Sequence, residues 1–165
     1  MTLLNSVLVA SDFGDTSEVA LTYGCNLARA FGAKLHVLHV ANSLTPSGVA
    51  QFYPAGLDDL QNDVEESAYK RLERLVAGSD AARLGAKLVV RTSAAVANAI
   101  ADYAKEAEVD IIVVGTHGRG PVAHLFVGSV AARLVRMAPC PVLVVRSNEH
   151  RFVLLEPAQI AAAEI

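Results

Sequence analysis

A pair of glycines and a Gly-Ser pair at a fixed interval are the residues of this chain best suited to holding a ligand. Gly115-Thr116-His117-Gly118 is followed, nine residues later, by Gly128-Ser129. The first pair sits directly after an apolar run at 111–114, Ile-Ile-Val-Val, and the second runs into the helical pattern Val130-Ala131-Ala132-Arg133-Leu134-Val135. Glycine at the end of a buried strand lets the backbone turn sharply and approach a ligand with no Cβ in the way. A Gly-Ser pair that opens a helix offers unpaired amide N–H groups, a hydroxyl and the positive end of the helix dipole, a combination suited to phosphate. The chemistry implied is the binding of a nucleotide.

A second loop, Ser11-Asp12-Phe13-Gly14-Asp15-Thr16-Ser17, follows the first apolar run of the chain. In an open parallel sheet, ligands bind beyond the carboxyl ends of the strands where strand order reverses. If the first and fourth strands are neighbours, this loop and the glycine loop meet there. Asp12 can then accept hydrogen bonds from a ribose or help place a magnesium ion, or it is simply a turn-forming or helix-capping aspartate. His117 either touches phosphate or is an exposed loop histidine without a role. Arg119 either pairs with a terminal phosphate or is a solvated loop residue. His36 and His39 point to opposite faces of one strand, a poor geometry for a shared metal. Cys25 and Cys140 match no metal spacing and read as small buried hydrophobes.

The better-known phosphate and catalytic signatures are absent. A P-loop requires a lysine after its glycines, and none follows here. A dinucleotide fingerprint would follow the first strand rather than the fourth. Ser129 is not part of a G-x-S-x-G nucleophile elbow.

The elements that must position these loops are legible as periodicity. Five short apolar runs rich in β-branched residues lie at 7–10, 35–40, 86–90, 111–114 and 142–145. Four stretches of helical period separate them. The first spans about 17–31, with Asp15, Thr16 or Ser17 as its cap and Gly32 as its end. The second repeats Leu57, Leu60, Val64, Ala68, Leu72 and Leu75 above a charged, solvated face. The third holds Val96, Ile100 and Ala104, and the fourth starts near Ser129 and stops before Pro139. Such alternation predicts an α/β fold with a mostly parallel sheet and right-handed crossovers. Residues 41–56 read as a surface loop in which Phe52 and Tyr53 either cover a pocket or merely anchor the loop. Leu125 and Phe126 read as packing beneath the glycine loop. The last run, Val142–Val145, is apolar on both faces; at a sheet edge it would invite another chain, which predicts a dimer.

Composition narrows the partners. At 165 residues, one domain with its own core is expected. Hydrophobic residues make up 53% and aromatic residues 5%, so the core is aliphatic, as buried parallel strands require. A net charge of −3 with no run of Lys or Arg argues against nucleic acid. Residues 1–6 show no basic leader or cleavage site, and no apolar run approaches the roughly 18 residues of a membrane span. A cytoplasmic protein with no membrane partner is the expectation.

The spacing G-x2-G-x9-G-[ST] resembles the ATP-binding signature of the universal stress protein family. Val7-Leu8-Val9-Ala10-Ser11-Asp12 looks like the family's first strand and acidic residue, and Leu35-His36-Val37-Leu38-His39-Val40 like its second strand. Gly128-Ser129-Val130-Ala131 and the segment from Ala138 to Val145 resemble the start of its fourth helix and its last strand. The likeness runs from about Val7 to Arg146, which divides the chain into a nucleotide-binding domain at 1–146 and an extension at 147–165. It implies a three-layer open sheet of five parallel strands in the order 3-2-1-4-5, with helices on both faces, and a homodimer through strand 5. It further implies ATP, with or without Mg2+, lying across strands 1 and 4. Ala10 (with Leu8 and Val9 behind it), Ser11, Asp12 and Val40 would surround adenine and ribose. Gly115, His117, Gly118 and Arg119 would follow ribose and phosphates, and Gly128, Ser129 and Val130 would hold the phosphates. One departure is Ser93-Ala94-Ala95, where the family often has a Gly-x-Pro turn.

The function implied is a stress-response protein in which ATP is a regulatory ligand that shifts a state recognised by an unidentified protein partner. Two alternatives stay open. One is a dimeric interaction protein that uses no nucleotide. The other is a slow ATP hydrolase related to the adenine-nucleotide hydrolases that cleave at the α-phosphate, whose Ser-Gly-Gly-x-Asp-Ser loop Ser11-Asp12-Phe13-Gly14-Asp15 does not match.

Overall fold

A computed structural model describes residues 4–44, 57–116 and 128–146. The elements run β1 (Ser6–Ala10), α1 (Asp15–Phe31), β2 (Lys34–Ala41), α2 (Leu57–Val76), α3 (Asp80–Arg83), β3 (Lys87–Thr92), α4 (Val96–Glu106), β4 (Ile111–Gly115), α5 (Ser129–Met137) and β5 (Val142–Val145). All strand pairs are parallel, and the sheet order is β3-β2-β1-β4-β5. The chain thus builds β1, β2 and β3 outward in one direction, then crosses back to lay β4 on the other side of β1. The reversal falls between β1 and β4, where Val7 to Ala10 pair with Ile111 to Val114.

Two layers of helix cover the sheet because the strands are apolar on both faces. On one face α1, α2 and α3 bury Ala20, Leu21, Cys25, Leu72, Val76 and Ala81 against Val7, Val9, Val37 and Val113. On the other, α4 and α5 bury Ile100, Tyr103, Ala104, Ala131 and Leu134 against Leu8, Leu38, Ile112 and Val114. Strand alternation assigns odd-numbered β1 and β2 residues to the first layer and even-numbered ones to the second. α1 lies close to β1 because Gly24 faces Val9: a Cβ there would sit 2.2 Å from Val9 Cγ2.

The structure differs from the sequence reading in three local respects. α1 is capped by Gly14, with no side-chain cap bond, rather than by Asp15, Thr16 or Ser17. Its end at Gly32 is as expected, with φ at 64° in the left-handed region that glycine favours. β3 is displaced from 86–90 to Lys87–Thr92. The short α3 follows α2 and is one turn that Ser79 caps by accepting the Ala81 N–H; four residues are too few for a periodic signal. The interval 45–56 with Phe52 and Tyr53, and the extension 147–165, lie outside the described residues. Among the described residues no helix is long and apolar enough to cross a membrane.

Candidate functional site

The loop after β1 is organised by its own polar side chains. The Ser11 N–H donates to Leu38 O at 2.9 Å, which continues the β1–β2 ladder by one residue. The Phe13 N–H donates to Ser11 Oγ at 3.1 Å, and the Gly14 N–H to Asp12 Oδ1 at 3.0 Å. The Ser17 hydroxyl donates to Gly14 O at 2.8 Å, which leaves the 3.1 Å contact between Ser11 Oγ and Ser17 Oγ to be donated by Ser11. Ser and Asp side chains bonding backbone two residues on are the usual makers of such tight turns. Their effect here is to bend the chain from β1 into α1 while leaving Ser11 and Asp12 at the carboxyl end of the sheet.

Opposite this loop, Gly115 ends β4 and Gly128 opens α5. The Thr116 N–H donates to Val145 O at 2.8 Å, and the Gly128 N–H donates to Thr116 O. The α5 N-terminus is therefore tied back to the end of β4, whatever path the chain takes between them. The amides of the first helical turn have no partner within the helix.

These segments enclose one cavity of about 330 Å³. It is lined by Ala10, Ser11 and Asp12 after β1, by Val40 on β2, by Gly115 on β4, and by Gly128, Ser129 and Val130 at α5. The sequence candidates that fall within the described residues thus meet at one place, the switch point between β1 and β4. His117, Gly118 and Arg119 lie outside the described residues, as do Leu125 and Phe126.

The cavity has two chemical halves. Leu38, Val40, Val96, Ile100 and Val114 make an apolar slot, and Asp12, Thr16, Ser17, Thr116 and Ser129 make a polar rim. Several of these residues were not candidates by sequence. Val96 and Ile100 read there only as the buried stripe of a helix, and they reach the cavity because α4 begins beside the end of β2. Thr16 and Ser17 read as helix caps. Asn42 also lines the cavity, and no motif distinguishes it in the sequence.

Among the described residues no group of three or more His, Cys, Asp or Glu is placed to hold a metal ion, and His39 has another role. The residue borders the cavity, while its ring packs on Phe13 toward α2 with Nδ1 2.8 Å from Ser11 O, so Nδ1 carries the proton and donates. His36 points to the other face and lies 2.8 Å through Nδ1 from the Tyr103 hydroxyl. Burial, then the charges of Lys87 and Lys34, hold the His36 pKa below the ordinary histidine value. Burial pushes the Cys25 thiol up to about 11, aided by Asp80, and raises the Cys140 thiol as well. Both are protonated and unreactive at neutral pH, in keeping with a packing role.

The comparisons with known proteins bear on this same architecture. The sequence pattern of the universal stress protein family matches residues 4–146. The chain belongs to this family.

Among relatives, universal stress protein YxiE of Bacillus subtilis is 33% identical over 152 residues, 87% of this chain and 100% of that one. Universal stress protein UspA from Lactobacillus plantarum has the same fold, with a TM-score of 0.69 and 27% identity over 88% of this chain and 100% of its own. A universal stress protein in complex with cAMP superposes with a TM-score of 0.56 at 23% identity, covering 89% of this chain and 100% of that one, a likeness of fold. The turn after β3 is held by Ser93. The Ser93 N–H donates to Ala41 O and Ser93 Oγ accepts the Ala95 N–H at 3.0 Å, so serine performs the turn that delivers Val96 to the cavity.

Proposed function

We propose that this universal stress protein binds an adenine nucleotide, ATP, as a regulatory ligand, and acts as a cytoplasmic homodimer. One observation carries the reading. A single cavity joins an apolar slot, a carboxylate and a helix N-terminus, contributed by segments more than a hundred residues apart in the chain. An adenine ring suits the slot between Val40, Ile100 and Val114. Asp12 would accept a ribose hydroxyl, and the Ser129 hydroxyl and Val130 amide would receive phosphate. Asp12 also fits the single protein carboxylate that Mg2+ takes when phosphates fill the rest of its shell. That a family member of the same fold is found with cAMP, itself an adenine nucleotide, agrees with the reading.

Regulation rather than turnover is the expected use. The ligand shifts a population of states only through its differential affinity, and the segments around the cavity are the ones it would order for a protein partner. The dimer is expected through β5, an edge strand among the described residues. Purified protein, denatured and extracted, should release ATP at near one per chain. Failing that, Mg-ATP should bind by calorimetry, and Gly118→Val should abolish binding while leaving the fold intact. A wild-type protein with neither released nucleotide nor binding heat would favour the nucleotide-independent reading.

A further inference from the structure

Phe13 has a backbone conformation unusual for its type. Its φ is 63°, in the left-handed region where a bulky aromatic residue is strained and glycine is not. A glycine would serve the turn at no steric cost, so the ring must do something the turn alone does not need. It is held on two sides. The His39 ring lies 4.3 Å away, centroid to centroid and tilted by 37°, and the Arg71 guanidinium of α2 sits 4.0 Å over the ring centre. A guanidinium this close to an aromatic face is within the range of a cation–π attraction. Phe13 and Arg71 line a separate groove of about 560 Å³ on the α2 side, whereas Asp12, the neighbouring residue, lines the ligand cavity. The Phe13 backbone lies inside the turn in which Asp12 Oδ1 accepts the Gly14 N–H and Ser11 Oγ accepts the Phe13 N–H.

We propose that Phe13 and Arg71 are positioning residues for the ligand cavity: α2 holds the ring through Arg71, and the ring holds the Asp12 turn in its place on the cavity wall. Neither residue needs to touch the ligand. Binding thereby becomes sensitive to the position of α2, an element on the opposite face of the sheet from the apolar slot. The affinity consequence rests on the nucleotide reading above, while the mechanical consequence does not.

Two readouts on the full chain separate these. Hydrogen exchange at the Gly14 amide reports the Asp12 turn directly, with amides of Val9 and Ile112 as core references. Calorimetry with Mg-ATP reports the cavity. Arg71→Gln and Phe13→Leu should speed Gly14 exchange while sparing the core amides, and should weaken ATP by about 3- to 10-fold, the scale of losing one partly desolvated cation–π contact. Arg71→Lys and Phe13→Tyr, which keep a cation and a ring, should restore both to within about twofold. Unchanged Gly14 exchange in Arg71→Gln and Phe13→Leu overturns the proposal, as does faster exchange with unaltered ATP affinity. If the wild-type protein binds no ATP, the nucleotide reading fails, and Gly14 exchange alone decides whether Arg71 and Phe13 hold the turn.

Discussion

A Cβ placed on Gly115 would sit 2.7 Å from Thr16 Oγ1 and 3.0 Å from the Thr16 carbonyl carbon. The glycine therefore serves the contact between α1 and β4 as well as the cavity, a reason different from the ligand approach that its motif implies. Gly115→Ala should cost about 1–3 kcal/mol by overpacking, seen as a lower urea midpoint even with no nucleotide present. Truncating Thr16 should recover only part of that, because backbone is among the clashing atoms. His36 makes a pH-dependent prediction. Its folded pKa lies below the 6.5 of an unperturbed histidine, so the unfolded chain takes up the proton first. The stability of the neutral, Tyr103-bonded ring is fully present above pH 6.5 and is lost as pH falls from there through the lowered folded value. Thermal melts of the wild type should thus fall more steeply than those of His36→Gln between pH 7 and 5.

At the scale of elements, apolar periodicity was a guide to the four longer helices and the face each buries, but not to the single turn α3. α4 buries Ala97, Ile100, Ala101 and Ala104, as the three-to-four spacing requires. α2 is the partial exception. Its apolar stripe is buried at Ala68, Leu72 and Val76, whereas Leu60 stands 54% exposed beside the groove near Phe13. Periodicity assigns a face to a helix; it does not say how much sheet lies beneath each turn. Leu72, with no exposure at all, is the anchor that fixes α2 and hence Arg71. Leu72→Ala should destabilise by about 2–5 kcal/mol in a denaturant titration. Leu60→Ala, on the overhanging turn, should change stability by no more than about 0.5 kcal/mol.

For the molecule as a whole, β5 is an edge strand whose only strand neighbour among the described residues is β4. Pro141 O accepts the Ile112 N–H and Val145 O accepts the Thr116 N–H. The alternation of a parallel ladder then directs the Val142 and Val144 N–H groups outward. If the proposed dimer forms by pairing these edges, Val144→Pro removes an outward donor without breaking a bond to β4, a placement that an edge strand tolerates. Light scattering should show a wild-type dimer and a Val144→Pro monomer with unchanged circular dichroism. A variant that remains dimeric would locate the interface elsewhere.

The sequence by itself determined the α/β class, the number of strands and the principal helices, because each is written in local periodicity and in the glycines and prolines that interrupt it. The spacing of Gly115, Gly118, Gly128 and Ser129 also pointed to the family to which the chain belongs. Tertiary structure alone decided the rest. That Val96 and Ile100 wall the cavity, that Gly115 makes room for Thr16 99 positions away, and that Arg71 reaches Phe13 58 positions away are outcomes of the crossover connections. No local signal encodes such neighbours, because their proximity is set by how layers of helix settle on the sheet.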